Sequence, residues 1–229
     1  MLAYFIRSAC KFVSNIKTMV ATIPAPITAE YLKKAFEKAD FVEIPASIQD
    51  YWQLIELPEY RLDYIKKRIK GTMSYGSLLH ERIIKNLILA LSNSFENENY
   101  EVFPSNRPLY SEGCEDIYEA DGHMIKDVIQ LHEYDKTKKA TKNPVIIVEV
   151  YSASTRNYDL GKKLDCYKAM PSVQQIIYIE STKLNVTTHN RTPKPVHWLS
   201  IDYKNLDFKV KVLNEFIPLR KIYNNTFFV

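Results

Sequence analysis

Cysteine is scarce: Cys10, Cys114 and Cys166 are the only three in 229 residues, at scattered positions and without a C-x-x-C pair. An odd, unclustered set of this kind suggests neither a disulfide framework nor a zinc knuckle, and it fits a reducing cytoplasm. No apolar run approaches the ~20 residues that a transmembrane helix needs, so no membrane partner is expected. Internal repeats and low-complexity tracts are lacking too, which argues against solenoid and fibrous architectures. Nor does either charge dominate. Lys and Arg number 31 against 27 Asp and Glu, a net charge of +4 with a sequence pI near 8.7. That balance tolerates a polyanionic partner but is far from the charge density of a protein that coats nucleic acid.

What is present is enough apolar material for one substantial core, with 46% hydrophobic and 25% charged residues. One main domain over residues 47–229 is expected, preceded by an extension over residues 1–46 that carries a helix. The first 20 residues, MLAYFIRSACKFVSNIKTMV, are mildly apolar, but Arg7, Lys11 and Lys17 interrupt them and leave no continuous hydrophobic stretch of the signal-peptide kind. Residues 1–18 read equally well as an extension from an upstream start, with Met19 as the alternative.

Helical spacing recurs in TAEYLKKAFEKADF, where Thr28 is a natural N-cap, and in SIQDYWQLIELPEY, which must end before Pro58. RLDYIKKRIKGTMSYG reads as an extended or hairpin-like stretch, punctuated by Gly71 and Gly76. In SLLHERIIKNLILALSNSFENEN the residues Leu79, Ile83, Leu87 and Leu91 recur every fourth position, widened by Ile84, Ile88 and Phe95, so a long amphipathic helix is predicted. YEVFPSNRPLY and DIYEADGHMIKD read as two strands, KTKKATKN as a polar basic loop, PVIIVEVYS as a strand and Thr155–Met170 as a helix. QQIIYIES, LNVTTHN, VHWLSID and FKVKVLNE follow as strands. This order implies a mixed β-sheet flanked by helices, of the α/β or α+β class.

Alternation in VIIVEVYS places Val145, Ile147, Glu149 and Tyr151 on one face and Ile146, Val148 and Val150 on the other, so both faces look buried. A carboxylate inside such a strand costs several kcal/mol unless it is paired or metal-bound. Glu149 therefore needs a partner, and a structural ion pair and a metal site are both open. Glu119, Asp121 and His123 alternate in the preceding strand-like segment. Were the two strands neighbours, Asp121 and Glu149 could share one hard cation, which prefers oxygen ligands. Asp159, Lys163 and Tyr167 follow at helical i, i+4 and i+8 spacing, readable either as a surface Asp–Lys pair or as a charge delivered to the same site.

Together these residues resemble the Uma2 family, formerly a domain of unknown function, within the PD-(D/E)xK restriction-endonuclease-like nucleases. The similarity spans about Ser47 to Ile201 and is strongest in VIIVEVYSASTRNYDLGKKLDCYKAMPSVQQIIYIE, with weaker support from RLDY at Arg61 and from His80 at the start of the long helix. The resemblance implies a restriction-endonuclease-like fold and a metal-dependent endonuclease acting on nucleic acid, DNA in the first instance, with a homodimer allowed. It implies Asp121, Glu149 and Lys163 as catalytic residues, Asp121 and Glu149 as ligands of Mg²⁺ or Mn²⁺, and His80, Asp159 and Tyr167 in support, with Glu81 a further neighbour. Lys163 stands in for the lysine of the usual E-x-K pattern, whose position is Tyr151 here; a long side chain can reach the same point from the helix.

The sequence also departs from the family. Ala120 replaces the proline before Asp121, and IKKRIKG, with Arg68, replaces an acidic turn. A silent nucleic-acid-binding or interaction module that keeps the fold is the rival reading. A zinc enzyme built on Cys114, Glu119 and His123 would need an unusual ligand set. The runs Lys66, Lys67, Arg68, Lys70 and Lys136 to Lys142 could contact phosphates, but such runs are usually solvated faces. Since residues 1–18 carry no core pattern, a protein starting at Met19 is expected to melt at the same temperature as the full chain. Loss of soluble protein on that truncation would show that the segment packs on the domain.

Overall fold

The computed structural model describes residues 26–73, 77–105, 107–151, 159–194 and 196–229, with Met73 and Asp159 described at the backbone only. The expectation for residues 1–18 lies outside them, as does Cys10. Helix α1 (Ala29–Phe36) starts where Thr28 accepts a hydrogen bond from the Tyr31 amide, and α2 (Ile48–Leu54) starts on a capping box between Ser47 and Asp50. Both caps satisfy amides that a helix start otherwise leaves open.

Two sheets carry the fold. The seven-stranded sheet runs in the order β1 (Phe41–Pro45), β3 (Arg68–Met73), β2 (Tyr60–Ile65), β6 (Asp116–Tyr118), β5 (Leu109–Ser111), β9 (Lys139–Thr141), β8 (Leu131–Glu133). The six-stranded sheet runs β13 (Trp198–Tyr203), β12 (Asn185–Arg191), β11 (Gln175–Glu180), β10 (Pro144–Tyr151), β7 (Gly122–Lys126), β4 (Tyr100–Pro104). A hairpin of β14 (Lys209–Val212) and β15 (Glu215–Pro218) and the short α5 (Leu219–Ile222) close the chain. Strand β10 pairs parallel with β11 and antiparallel with β7. The parallel pair requires a crossover connection, and α4 (Leu164–Ala169) lies in it.

Both faces of β10 are covered, as its apolar run demands. Ile146, Val148 and Val150 share a core with Ile83, Leu87 and Leu91 of α3 (Leu78–Ser94) and with the β14–β15 hairpin. Ile147 and Tyr151 face a second core with Leu109 and Tyr118 of the other sheet and with Leu164 and Tyr167 of α4. A third cluster packs α1 and α2 on the seven-stranded sheet through Leu32, Tyr51, Leu62 and Ile69. The mixed α+β class expected from the sequence is thus the class observed.

Several local expectations are corrected. The two strands expected after α3 are four, because the chain changes sheets twice, between Pro104 and Leu109 and again between Tyr118 and Gly122. The basic loop contains β9, which pairs antiparallel with β8; Ala140 and Thr141, on its opposite faces, are both buried, and Lys139 is half-buried. The helix expected over Thr155–Met170 has, in its described part, a π-turn at Asp159–Lys163 with Gly161 in a non-helical conformation before α4 begins. Cys114 and Cys166, expected to be unpaired, are joined in a disulfide across 52 residues. The turn after β5 is drawn onto α4, where the Ser111 hydroxyl donates to the Cys166 carbonyl, and that approach is invisible in sequence spacing.

The β2–β3 hairpin closes on a two-residue turn in which Lys66 and Lys67 both have positive φ, 50° and 59°. Such turns favour Asn-Gly, since a left-handed conformation costs a side-chain-bearing residue roughly 1 kcal/mol or more. Replacing Lys66-Lys67 by Asn-Gly is expected to raise unfolding stability by about 0.5–1 kcal/mol, read as a higher urea midpoint with an unchanged slope.

Candidate active site

The crossing between sheets sets the site. Glu119, Ala120 and Asp121 link β6 of one sheet to β7 of the other, so their polar groups sit at the seam where neither ladder can satisfy them. Asp121 Oδ2 accepts the Val150 amide at 2.6 Å, which anchors it to the strand that carries Glu149. Glu119 accepts the Leu62 amide at 3.2 Å, and its own amide donates to Asp63 Oδ1 at 2.6 Å. Gly122 permits the close passage: a Cβ there would lie 2.8 Å from Ile88 of α3.

Lys163 precedes α4 and reaches into the seam, 5% exposed. Its Nζ lies 2.9 Å from Glu149 Oε1 and 3.5 Å from Asp63 Oδ2, and it donates to the Glu119 carbonyl at 3.2 Å. The surface-pair reading of Lys163 is therefore excluded by its burial. One turn on, the Tyr167 hydroxyl donates to Glu149 Oε1 at 2.6 Å. Arg61 of β2 forms an ion pair with Asp121 Oδ1. His80, in the first turn of α3, places Nε2 3.5 Å from Asp121 Oδ2 and Nδ1 3.3 Å from the exposed Glu81.

The structure thus brings Asp121, Glu149, Lys163, Tyr167 and His80 into one cluster. Asp159 contributes no described side chain. His123, which alternates with Asp121, instead stacks on Phe103 with ring centroids 5.2 Å apart, and burial and the Arg107 charge push its pKa down to about 3. Cys114, proposed above for a zinc site, is spent in the disulfide, so that ligand set does not form. Asp116 lies beside the same two sulfurs, which as a disulfide are not thiolate ligands. Of the basic run in β3, Arg68 and Lys70 are paired with Glu43.

Sequence reasoning missed Asp63 and assigned no role to Arg61. The signal was there: in RLDY, Arg61 and Asp63 sit on one face of a strand whose Leu62 is fully buried, which is the same anomaly that marked Glu149.

Electrostatics follow from burial. Asp63, Glu119, Asp121 and Glu149 are all at most 7% exposed, and they meet two fixed cations, Arg61 and Lys163, and one histidine. Burial pushes Asp121 upward, but Arg61 and His80 outweigh it and hold the carboxyl well below the usual range. Burial likewise opposes the charge on His80, yet Asp121 raises its pKa overall. Glu119 is raised to about 7 by burial and by Asp63, against the pull of Arg61. An all-oxygen donor set with more carboxylates than fixed cations fits a hard divalent ion such as Mg²⁺ or Mn²⁺. Beside the cluster opens a cleft of about 670 Å³ lined by Arg61, Glu119, Trp52, Tyr60, Lys138 and Lys139 among others.

Residues 48–218 match the profile of a family described as "Uma2: Putative restriction endonuclease". The chain belongs to the Uma2 family. Its sequence is 25% identical over 169 residues to an uncharacterized protein of Synechocystis, covering 71% of this chain and 78% of that one. Its fold is shared with an Anabaena variabilis protein whose crystal structure is titled as a "putative nuclease belonging to DUF820", at TM-score 0.60 and 14% identity, covering 78% of this chain and 98% of the other. For this Uma2 protein, the match ends before α5, although α5 completes the core under α3.

The raised Glu119 gives a signed pH dependence. Its pKa moves from 4.5 to about 7 on folding, so the folded protein holds the extra proton between those values and stability falls as pH rises through that window. Glu119→Gln is expected to remove this loss, worth up to about 3 kcal/mol, so that the variant gains on the wild type between pH 4.5 and 7 in urea titrations. A stability difference independent of pH would show that Glu119 stays ionised throughout.

Proposed function

We propose that this chain is a divalent-metal-dependent nuclease that hydrolyses phosphodiester bonds in nucleic acid, DNA in the first instance. The observation that carries the reading is the convergence of Asp121, Glu149 and Lys163 at one buried seam beside an open cleft. In this reading Asp121 and Glu149 hold Mg²⁺ or Mn²⁺, which when bound supplies Lewis acidity and a more acidic water for attack on phosphorus. Family membership supports nuclease chemistry as the class of reaction.

The chain's own groups have distinct tasks. Tyr167 donates to Glu149 Oε1 and fixes the orientation of that carboxylate, and burial together with the Glu149 charge keeps its phenol protonated far above neutral pH. Lys163, held between Glu149 and Asp63, presents an ammonium group that can orient the nucleophilic water and offset negative charge developing on the phosphoryl oxygens. His80, 3.5 Å from Asp121, joins Arg61 in keeping that carboxylate ionised. Lys138 and Lys139 line the cleft wall, where their charge, shared by Lys139 with Glu133, can meet a phosphate backbone.

Glu149→Gln is expected to weaken Mg²⁺ binding and abolish cleavage of labelled substrates, because a charged oxygen ligand is lost. Lys163→Ala should keep the metal ligands but slow single-turnover cleavage by about 10²–10³-fold, since charge in the transition state is no longer offset. A panel of single- and double-stranded DNA and RNA with Mg²⁺, Mn²⁺ or EDTA tests the reading. Failure to cleave any of them, with no metal bound at Asp121 and Glu149, would leave a nucleic-acid-binding module that keeps the fold. A fully active Lys163→Ala protein would remove the lysine from the mechanism and leave the metal site standing.

A further inference from the structure

Arg61 has a place in this cluster that the proposed chemistry does not explain. Its side chain, a quarter exposed, extends from β2 and lines the cleft, while its guanidinium is paired with Asp121, whose own side chain is 2% exposed. Asp121 is at the same time fixed from the other side by the Val150 amide and by His80. The guanidinium also lies within electrostatic reach of Glu149 and Glu119, which together with Asp121 favour its charged form despite burial. A positive charge thus stands on Asp121, among the oxygens that a divalent ion would share.

We infer that Arg61 is a built-in competitor for the cation: it neutralises Asp121 while no metal is bound and must be displaced from the carboxylate when one enters. This rests on the metal-site reading above. Lys163 is not in the same position. It is 5% exposed, enclosed by Glu149, Asp63 and the Glu119 carbonyl, whereas Arg61 stands at the cleft wall with space to turn outward. A guanidinium is planar, always charged and weakly hydrated, so it can occupy a buried carboxylate site and also withdraw to a wetter one. The arrangement keeps the carboxylates ionised and in place, at the expense of metal affinity. Arg61 is in this sense a positioning residue whose effect is read in metal binding before catalysis.

Mn²⁺ binding by calorimetry, with melting temperatures in EDTA and in excess Mn²⁺, tests the inference on the full chain. Arg61→Gln is expected to bind Mn²⁺ at least about tenfold more tightly than the wild type, because a like charge beside the ion is gone. It should also melt lower in EDTA, where Asp121 loses its guanidinium partner, and recover most of that loss with Mn²⁺. A purely structural Arg61 would instead give the same loss of melting temperature with and without Mn²⁺ and no gain in affinity, which overturns the inference. If Arg61→Gln cannot be purified even with Mn²⁺, Arg61→Lys decides: its single-point charge holds Asp121 less firmly and should bind Mn²⁺ more tightly than the wild type, and equal or weaker binding overturns the inference. Asp121→Asn separates the two readings. Wild-type Mn²⁺ affinity in that variant would remove the metal site itself, whereas loss of binding there with unchanged affinity in Arg61→Gln would remove only the competitor.

Discussion

Burial of four carboxylates at the seam between two sheets is the constraint on which the rest of this structure turns. Each would cost several kcal/mol alone in such surroundings, and removing one partner from a buried ion pair typically costs about 3–5 kcal/mol. That is a large part of the 5–15 kcal/mol that a whole domain has to spare. Closing the two sheets on each other is therefore favoured by the cations that arrive with the acids, Arg61 on Asp121 and Lys163 between Glu149 and Asp63. The excess of acid over fixed cation that remains is what suits the seam to a divalent ion.

Delivering Lys163 from outside the strand needs a firm mount, and the chain provides several. Leu164, Tyr167 and Met170 bury α4 in the core between the sheets. The Cys114–Cys166 disulfide and the Ser111 to Cys166 hydrogen bond tie the same helix to the turn after β5. Tyr167 and Lys163 both contact Glu149 Oε1 from consecutive turns, so the helix cannot rotate without breaking both contacts. The break at Gly161 lets α4 begin at an orientation that the preceding π-turn does not impose. The position that a lysine takes on the strand in the commoner motif holds Tyr151, which packs in the core with Tyr178.

Much of this was legible along the chain. Periodicity of two over VIIVEVYS fixed β10 as a strand covered on both faces, periodicity near four fixed α3, and Thr28 marked a helix start, because these signals are local and set by backbone geometry. Glu149 stood out because a charge in an apolar run is costly wherever the strand ends up. Tertiary structure alone decided the rest. The switch of sheets at Glu119–Asp121, the pairing of Cys114 with Cys166 and the joining of Arg61 and Asp63 to the site all depend on contacts between residues dozens of positions apart. Such contacts leave no periodic trace: spacing alone leaves Lys163 readable as a surface partner of Asp159 or as a charge for the Glu149 site, and the fold decides between them by burying its ammonium against Glu149 as the two sheets close over charged groups.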